Sequence, residues 1–131
     1  MQYEWIVLDS VTAMHSEQIA QHGGSEGIRD EGLLLSALAR PENLWAYGES
    51  VDAAALAASY AFGIAKNHPF LDGNKRTALV VAVTFLNLNG FDFDAPEAET
   101  YTLFLGLAEG TKSEEDVASW FREKLVPISA Q

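Results

Sequence analysis

The spacing of apolar and polar positions along this chain predicts six helices and very little strand. Residues 3–8 read as strand-like and lead into a first helix over 12–21, which His22-Gly23-Gly24 ends because glycine accepts the left-handed cap conformation. A second helix is predicted over 30–39. Asp30 suits its N-cap, its leucines fall on one face, and Pro41 should stop it. Residues 41–51 read as a loop or short hairpin, with Asn43, Gly48 and Glu49 as breakers. An alanine-rich third helix follows over 52–67. The fourth, over 74–89, is apolar in nearly every direction, as expected of the buried helix at the centre of a domain. Helices over 97–109 and 113–125 complete the set. Gly110 closes the fifth, and Ser113 with Asp116 forms a capping box on the sixth. Outside residues 3–8, only 90–93 carries a strand signal. The expectation is an all-α fold, one domain over residues 1–131, packed as six helices around a buried central one.

Composition narrows the picture. The 131 residues are 48 % hydrophobic, enough for one real core. The chain has no cysteine, which excludes disulfides, zinc–cysteine clusters and thiol nucleophiles and favours a cytoplasmic home. MQYEWIVLDS lacks the basic start and cleavage site of a secretory signal. The apolar stretches 53–65 and 78–86 are too short to span a bilayer. A formal net charge of −11 repels nucleic acid and anionic membranes and favours a basic or apolar partner. Between Pro41 and Thr111 the only basic residues are Lys66, Lys75 and Arg76.

The adjacent pair Lys75-Arg76 belongs to the stretch His68-Pro69-Phe70-Leu71-Asp72-Gly73-Asn74-Lys75-Arg76-Thr77. Pro69 disfavours helical geometry at His68, Asp72-Gly73 is a turn pair, and Asn74 suits the N-cap of the fourth helix. Lys75 and Arg76 then fall in the first helical turn. Cations there are unfavourable by roughly 0.3–1 kcal/mol, because the helix N-terminus is already electropositive. The conflict is resolved if an anion sits between them and the free N–H groups, which is how helix starts bind phosphate. His68 is then placed to take a proton from an attacking hydroxyl. Asp72 offers a carboxylate oxygen to Mg²⁺, Gly73 admits backbone close to phosphate, and Phe70 and Leu71 should anchor the loop in the core. A base, a metal carboxylate and an anion nest are what phosphoryl or nucleotidyl transfer requires.

At these residues the chain resembles the Fic/Doc (Fido) family, whose motif is His-x-Phe-x-Asp/Glu-Gly-Asn-Gly-Arg-x-x-Arg; here it reads HPFLDGNKRTAL. The segments QHGGSEGIRDEGLLLSAL (21–38) and FLNLNGF (85–91), with Asn67, extend the likeness, more weakly after Asp94. Lys75 replaces the second glycine of the adenylylating members and Leu79 their second arginine, which is the pattern of the Doc branch, the death-on-curing toxins. That resemblance implies transfer of the γ-phosphate of ATP, with Mg²⁺, to a protein hydroxyl, a threonine of elongation factor Tu, arresting translation. It implies His68 as general base, Asp72 as metal ligand, and Gly73, Asn74, Lys75 and Arg76 as phosphate binders. The family's inhibitory motif Ser/Thr-x-x-x-Glu-Gly/Asn has no match in the chain, the nearest stretch, 119–124, being broken by Lys124. Inhibition by a separate Phd-like antitoxin is the implied arrangement.

The rival readings are adenylyl transfer, against which Lys75 and Leu79 argue, and a catalytically silent binding module. His15 and His22 read as surface or packing residues, since no HExxH-type pattern accompanies them. Gly23, Gly24 and Gly27 read as turns rather than a phosphate loop, because no Lys-Ser/Thr pair follows. Arg29 reads as structural, and Trp5, Trp45 and Trp120 as packing residues. Tyr47, in the loop expected after Pro41, is a candidate for the segment that positions a target peptide.

Overall fold

In a computed structural model, residues 2–128 are described. The helices are α1 (Leu8–His22), α2 (Glu31–Tyr47), α3 (Ala53–Asn67), α4 (Asn74–Leu88), α5 (Glu97–Glu109) and α6 (Glu114–Lys124). Two three-residue strands, β1 (Phe91–Phe93) and β2 (Leu125–Pro127), pair antiparallel with Phe91 opposite Pro127. The fold is all-α. Asp30, Asp52 and Ser113 cap α2, α3 and α6 by accepting backbone N–H bonds, and Ser113 and Asp116 close the capping box expected from their spacing.

The central place belongs to α3 even more than to α4. Eleven of its residues are buried, and it touches α2, α4, α5 and α6. Small side chains allow that approach: a Cβ on Gly63 would sit 3.2 Å from the Ala37 Cα of α2. On α4, Ala78, Val81, Ala82, Phe85 and Leu86 are buried, while Leu88 at the far end is exposed. Tyr60 of α3 and Phe85 of α4 meet at 5.2 Å between ring centroids, and Tyr3 and Trp5 cover Phe85 from outside.

Residues 3–8 are not a strand. The segment pairs with no other strand, and α1 begins at Leu8, earlier than expected. Side chains replace the ladder: Ile6 N–H donates to the Tyr60 hydroxyl, and Glu4 exchanges two bonds with the Asn89 amide. Nor does Pro41 stop α2, which runs on to Tyr47. A proline in a helix removes one N–H donor and crowds the preceding turn. Here Pro41 is buried and Leu44 packs on the core in the following turn, while Trp45 meets Tyr3 edge-on at 4.9 Å. Tertiary packing outweighs the local cost. Tyr47 is accordingly the last helical residue of α2, 87 % exposed, rather than a loop residue.

Candidate active site

The chain turns from α3 into α4 through six residues, 68–73, held from three sides. His68 caps α3 in the left-handed conformation at φ 49°, its N–H bonded to the Ile64 carbonyl. Pro69 and Leu71 bond to the backbone of 27–30: Arg29 and Asp30 N–H donate to the Pro69 carbonyl, and Leu71 N–H donates to Gly27. The Arg29 guanidinium completes this side. It donates to the His68 carbonyl at 2.6 Å and the Asn67 carbonyl at 2.8 Å, holding the C-terminal end of α3, where a cation is favoured. Arg29 is structural, as its sequence suggested.

Asn74 does more than a cap would. The N-cap of α4 is Gly73, at φ 74°, and Asn74 is the first helical residue. Its side chain is buried and turned back into the loop, because Phe70 offers both a donor and an acceptor. The Asn74 Oδ1 accepts from Phe70 N–H at 3.0 Å, and Nδ2 donates to the Phe70 carbonyl at 3.0 Å and faces His68 Nδ1 at 3.1 Å. Phe70 is buried and anchors the loop, whereas Leu71, expected to do the same, is 56 % exposed. Leu71 lies in the turn between Phe70 and Asp72, beside Gly27 and in the pocket wall.

Asp72 is exposed at the rim. Its Oδ1 accepts from Gly73 N–H at 2.8 Å, and its Oδ2 lies 3.4 Å from Ser25 N. With Gly73 as N-cap, no side chain caps α4, so the N–H groups of its first turn remain available. The other helices lacking a side-chain cap, α1 and α5, begin with acidic residues in the first turn; α4 begins with Lys75 and Arg76. His68, Asp72, Gly73, Asn74, Lys75 and Arg76 all line one pocket of about 600 Å³ between the loop, α1 and α5. Leu79 lies in its wall, one turn into α4.

Three contributors were not foreseen. Tyr101 of α5 forms the opposite wall, with Lys75 Nζ 4.8 Å from its ring centroid. Nothing local in the sequence marks it. Gly24 approaches the loop so closely that a Cβ there would lie 2.6 Å from Asp72 Oδ2. His15 is a packing residue as expected, but it packs under the site: its ring stacks on Phe70 at 3.9 Å, and Nε2 bonds the Asp72 carbonyl at 2.8 Å. The signal for it was present, since Val11, His15 and Ile19 form a buried stripe at a spacing of four. His22 is exposed at the pocket rim.

Among the described residues, no three His, Cys, Asp or Glu side chains gather into a metal site. Asp72 alone fits Mg²⁺ in the way that ion accompanies nucleotides, with one carboxylate and the remaining positions filled by phosphate oxygens and water.

Fold and site together define an all-α protein whose histidine- and aspartate-bearing loop opens into a helix with a basic first turn. Residues 5–86 match the family described as the Fic/DOC family, and the chain belongs to that family, in its Doc branch. It is 36 % identical over 115 residues to "Protein kinase doc" of Escherichia phage P1, covering 87 % of this chain and 90 % of that protein. It is 46 % identical over 86 residues to "Toxin Doc" of Mycolicibacterium smegmatis (strain ATCC 700084 / mc(2)155), covering 59 % of this chain and 63 % of the relative. No helix among the described residues is long and apolar enough to cross a membrane.

Proposed function

We propose that this chain is a toxin kinase that moves the γ-phosphate of ATP to a protein hydroxyl, in the cytoplasm. The observation that carries the reading is the start of α4, where an uncapped helix N-terminus, Lys75 and Arg76 share a pocket rim with His68 and Asp72. The name of the phage relative, a protein kinase, supports the reaction type.

In this reading the free N–H groups of α4, together with Gly73, Asn74, Lys75 and Arg76, hold the phosphates. Asp72 holds Mg²⁺, which neutralises phosphate charge and orients the transferred group. The hydroxyl oxygen of the target bonds to the γ-phosphorus, the bond from that phosphorus to the β–γ bridging oxygen breaks, and ADP leaves. The hydroxyl proton passes to His68. Leu79 and Lys75 favour this direction over adenylyl transfer. No guanidinium at position 79 holds the phosphates one turn into the helix, and Lys75 fills space that glycine would leave open.

Elongation factor Tu, through a threonine, is the target that the Doc likeness brings to this chain, with arrest of translation as the consequence. A Phd-like antitoxin supplied as a separate chain is its inhibitor. The test is label transfer: antitoxin-free protein with elongation factor Tu and Mg-ATP labelled at the α- or γ-phosphate, against His68→Ala. Label from γ alone, lost in the variant, is expected. Label from α makes the protein an adenylyltransferase, and no label with either leaves a different target or a silent binding module.

A further inference from the structure

His15 is the one buried histidine, and nothing in the proposed chemistry uses it. It sits on α1, far from the motif in sequence, yet it meets the loop twice. Its ring lies nearly parallel to Phe70, 6° apart at a centroid distance of 3.9 Å. Its Nε2 lies 2.8 Å from the backbone oxygen of Asp72. A carbonyl oxygen only accepts, so Nε2 carries the proton and donates. One α-helical turn further, the Ile19 side chain lies 3.1 Å from where a Cβ on Gly73 would be. One face of α1 is thus fitted to the Asp72-Gly73 turn.

We infer that His15 is a positioning residue for the metal carboxylate: its Nε2–H fixes the Asp72 peptide, and that peptide aims the Asp72 side chain into the pocket. This rests on the proposed metal role of Asp72. The geometry supports it independently of the motif. The Asp72 backbone oxygen is bound by His15, its Oδ1 by Gly73 N–H, and Oδ2 lies against Gly24 and Ser25. Without the His15 donor, the oxygen of the peptide between Asp72 and Gly73 loses its side-chain partner. The bond from Gly73 N–H to Asp72 Oδ1 remains but lies within the turn and moves with it, so the peptide can rotate, because glycine follows. The stack on Phe70 is a separate contribution, made by the ring and not by its proton.

The two contributions can be separated. His15→Phe keeps an aromatic ring against Phe70 and removes the donor. His15→Gln keeps a donor at the reach of Nε2 and removes the ring. The full chain, with ATP present, is titrated with Mn²⁺ as the probe ion and followed by the paramagnetic signal of the free ion. Melting temperature is measured alongside, and Asp72→Asn is the control. His15→Phe should melt near the wild type yet bind Mn²⁺ about tenfold or more weakly, the usual loss when a group that orients a ligand is removed. His15→Gln should melt earlier yet bind Mn²⁺ as the wild type does. Wild-type affinity in a folded His15→Phe overturns the inference, as does lost affinity in a folded His15→Gln. If His15→Phe does not fold, His15→Gln alone decides. If Asp72→Asn binds Mn²⁺ as tightly as the wild type, the metal role of Asp72 itself falls, and the inference falls with it.

Discussion

The side-chain amide of Asn74 lies 3.1 Å from Nδ1 of His68, and its orientation is fixed because Phe70 N–H takes the amide oxygen. The amide nitrogen is therefore the donor and Nδ1 the acceptor, which puts the proton of the neutral ring on Nε2. In this arrangement the lone pair of His68 is turned toward Asn74. For His68 to act as the proposed base, the ring must swing away from Asn74 or its proton must move to Nδ1. Nitrogen-resolved NMR of the histidine rings should find the Nε2–H tautomer for neutral His68 in the free protein. Asn74→Asp replaces the donor by an acceptor and should shift the proton to Nδ1. It also loses the bond to the Phe70 carbonyl, at about 1–3 kcal/mol of stability. A wild-type ring protonated on Nδ1 would overturn this account.

Gly24 and Gly23 make a matched pair. Both have positive φ, +119° and +82°, but a Cβ on Gly24 meets the Asp72 carboxylate at 2.6 Å while one on Gly23 meets nothing within 4 Å. Each alanine substitution should lower stability by about 1–2 kcal/mol through backbone strain. Only Gly24→Ala should also displace the Asp72 carboxylate and weaken metal-dependent nucleotide binding. Equal binding by the two variants, measured calorimetrically, would show that Asp72 relaxes out of the way.

Lys75 and Tyr101 predict a graded effect on nucleotide affinity. A charge-assisted hydrogen bond contributes about 1.5–3 kcal/mol, so Lys75→Met should weaken Mg-ATP binding by roughly tenfold to a hundredfold. The Tyr101 ring holds the ammonium from the side, a contact of about 0.5–1 kcal/mol at an exposed site. Tyr101→Ala should therefore weaken binding by less than about sixfold, and Tyr101→Phe should restore it. A Tyr101→Ala loss as large as that of Lys75→Met would mean that the ring contacts the nucleotide itself.

Burial pushes the Tyr60 hydroxyl up to about 12, against the bond it accepts from Ile6 N–H, with Glu42 adding a smaller upward push. The fold favours the neutral phenol. Its stabilising contribution is complete below about pH 10, where the unfolded phenol titrates, and is lost as pH rises through about 12. In alkaline denaturation, Tyr60→Phe should flatten this part of the stability curve. At neutral pH the same variant strands the Ile6 N–H and should cost about 1–3 kcal/mol. An unchanged alkaline slope would place the pH sensitivity elsewhere.

Much of this was legible from local chemistry. Capping residues placed the starts of α2 and α6, and His68 and the residues from Leu71 to Arg76 line one pocket. What local chemistry could not supply was decided by partners distant in sequence. Pro41 reads as a stop until Leu44 and Trp45 are seen packed beyond it. Residues 3–8 read as strand-like, but their partners are the Tyr60 hydroxyl and the Asn89 amide. Asn74 has the chemistry of an N-cap, and Gly73 took that position because a left-handed turn is needed there. Tyr101 reaches the pocket through the packing of α5 on α3 and α4, which no short-range pattern encodes.

At position 68 the backbone and the chemistry make opposite demands. With φ at 49°, His68 occupies a conformation that glycine adopts freely and other residues adopt at a cost of about 1–2 kcal/mol. A lineage drifting without selection on activity would gain stability by exchanging this histidine for glycine, and would still fold and still present its outer surface to a binding partner. Histidine thus stands at this position against a backbone cost, which the role proposed for its ring as a base would offset.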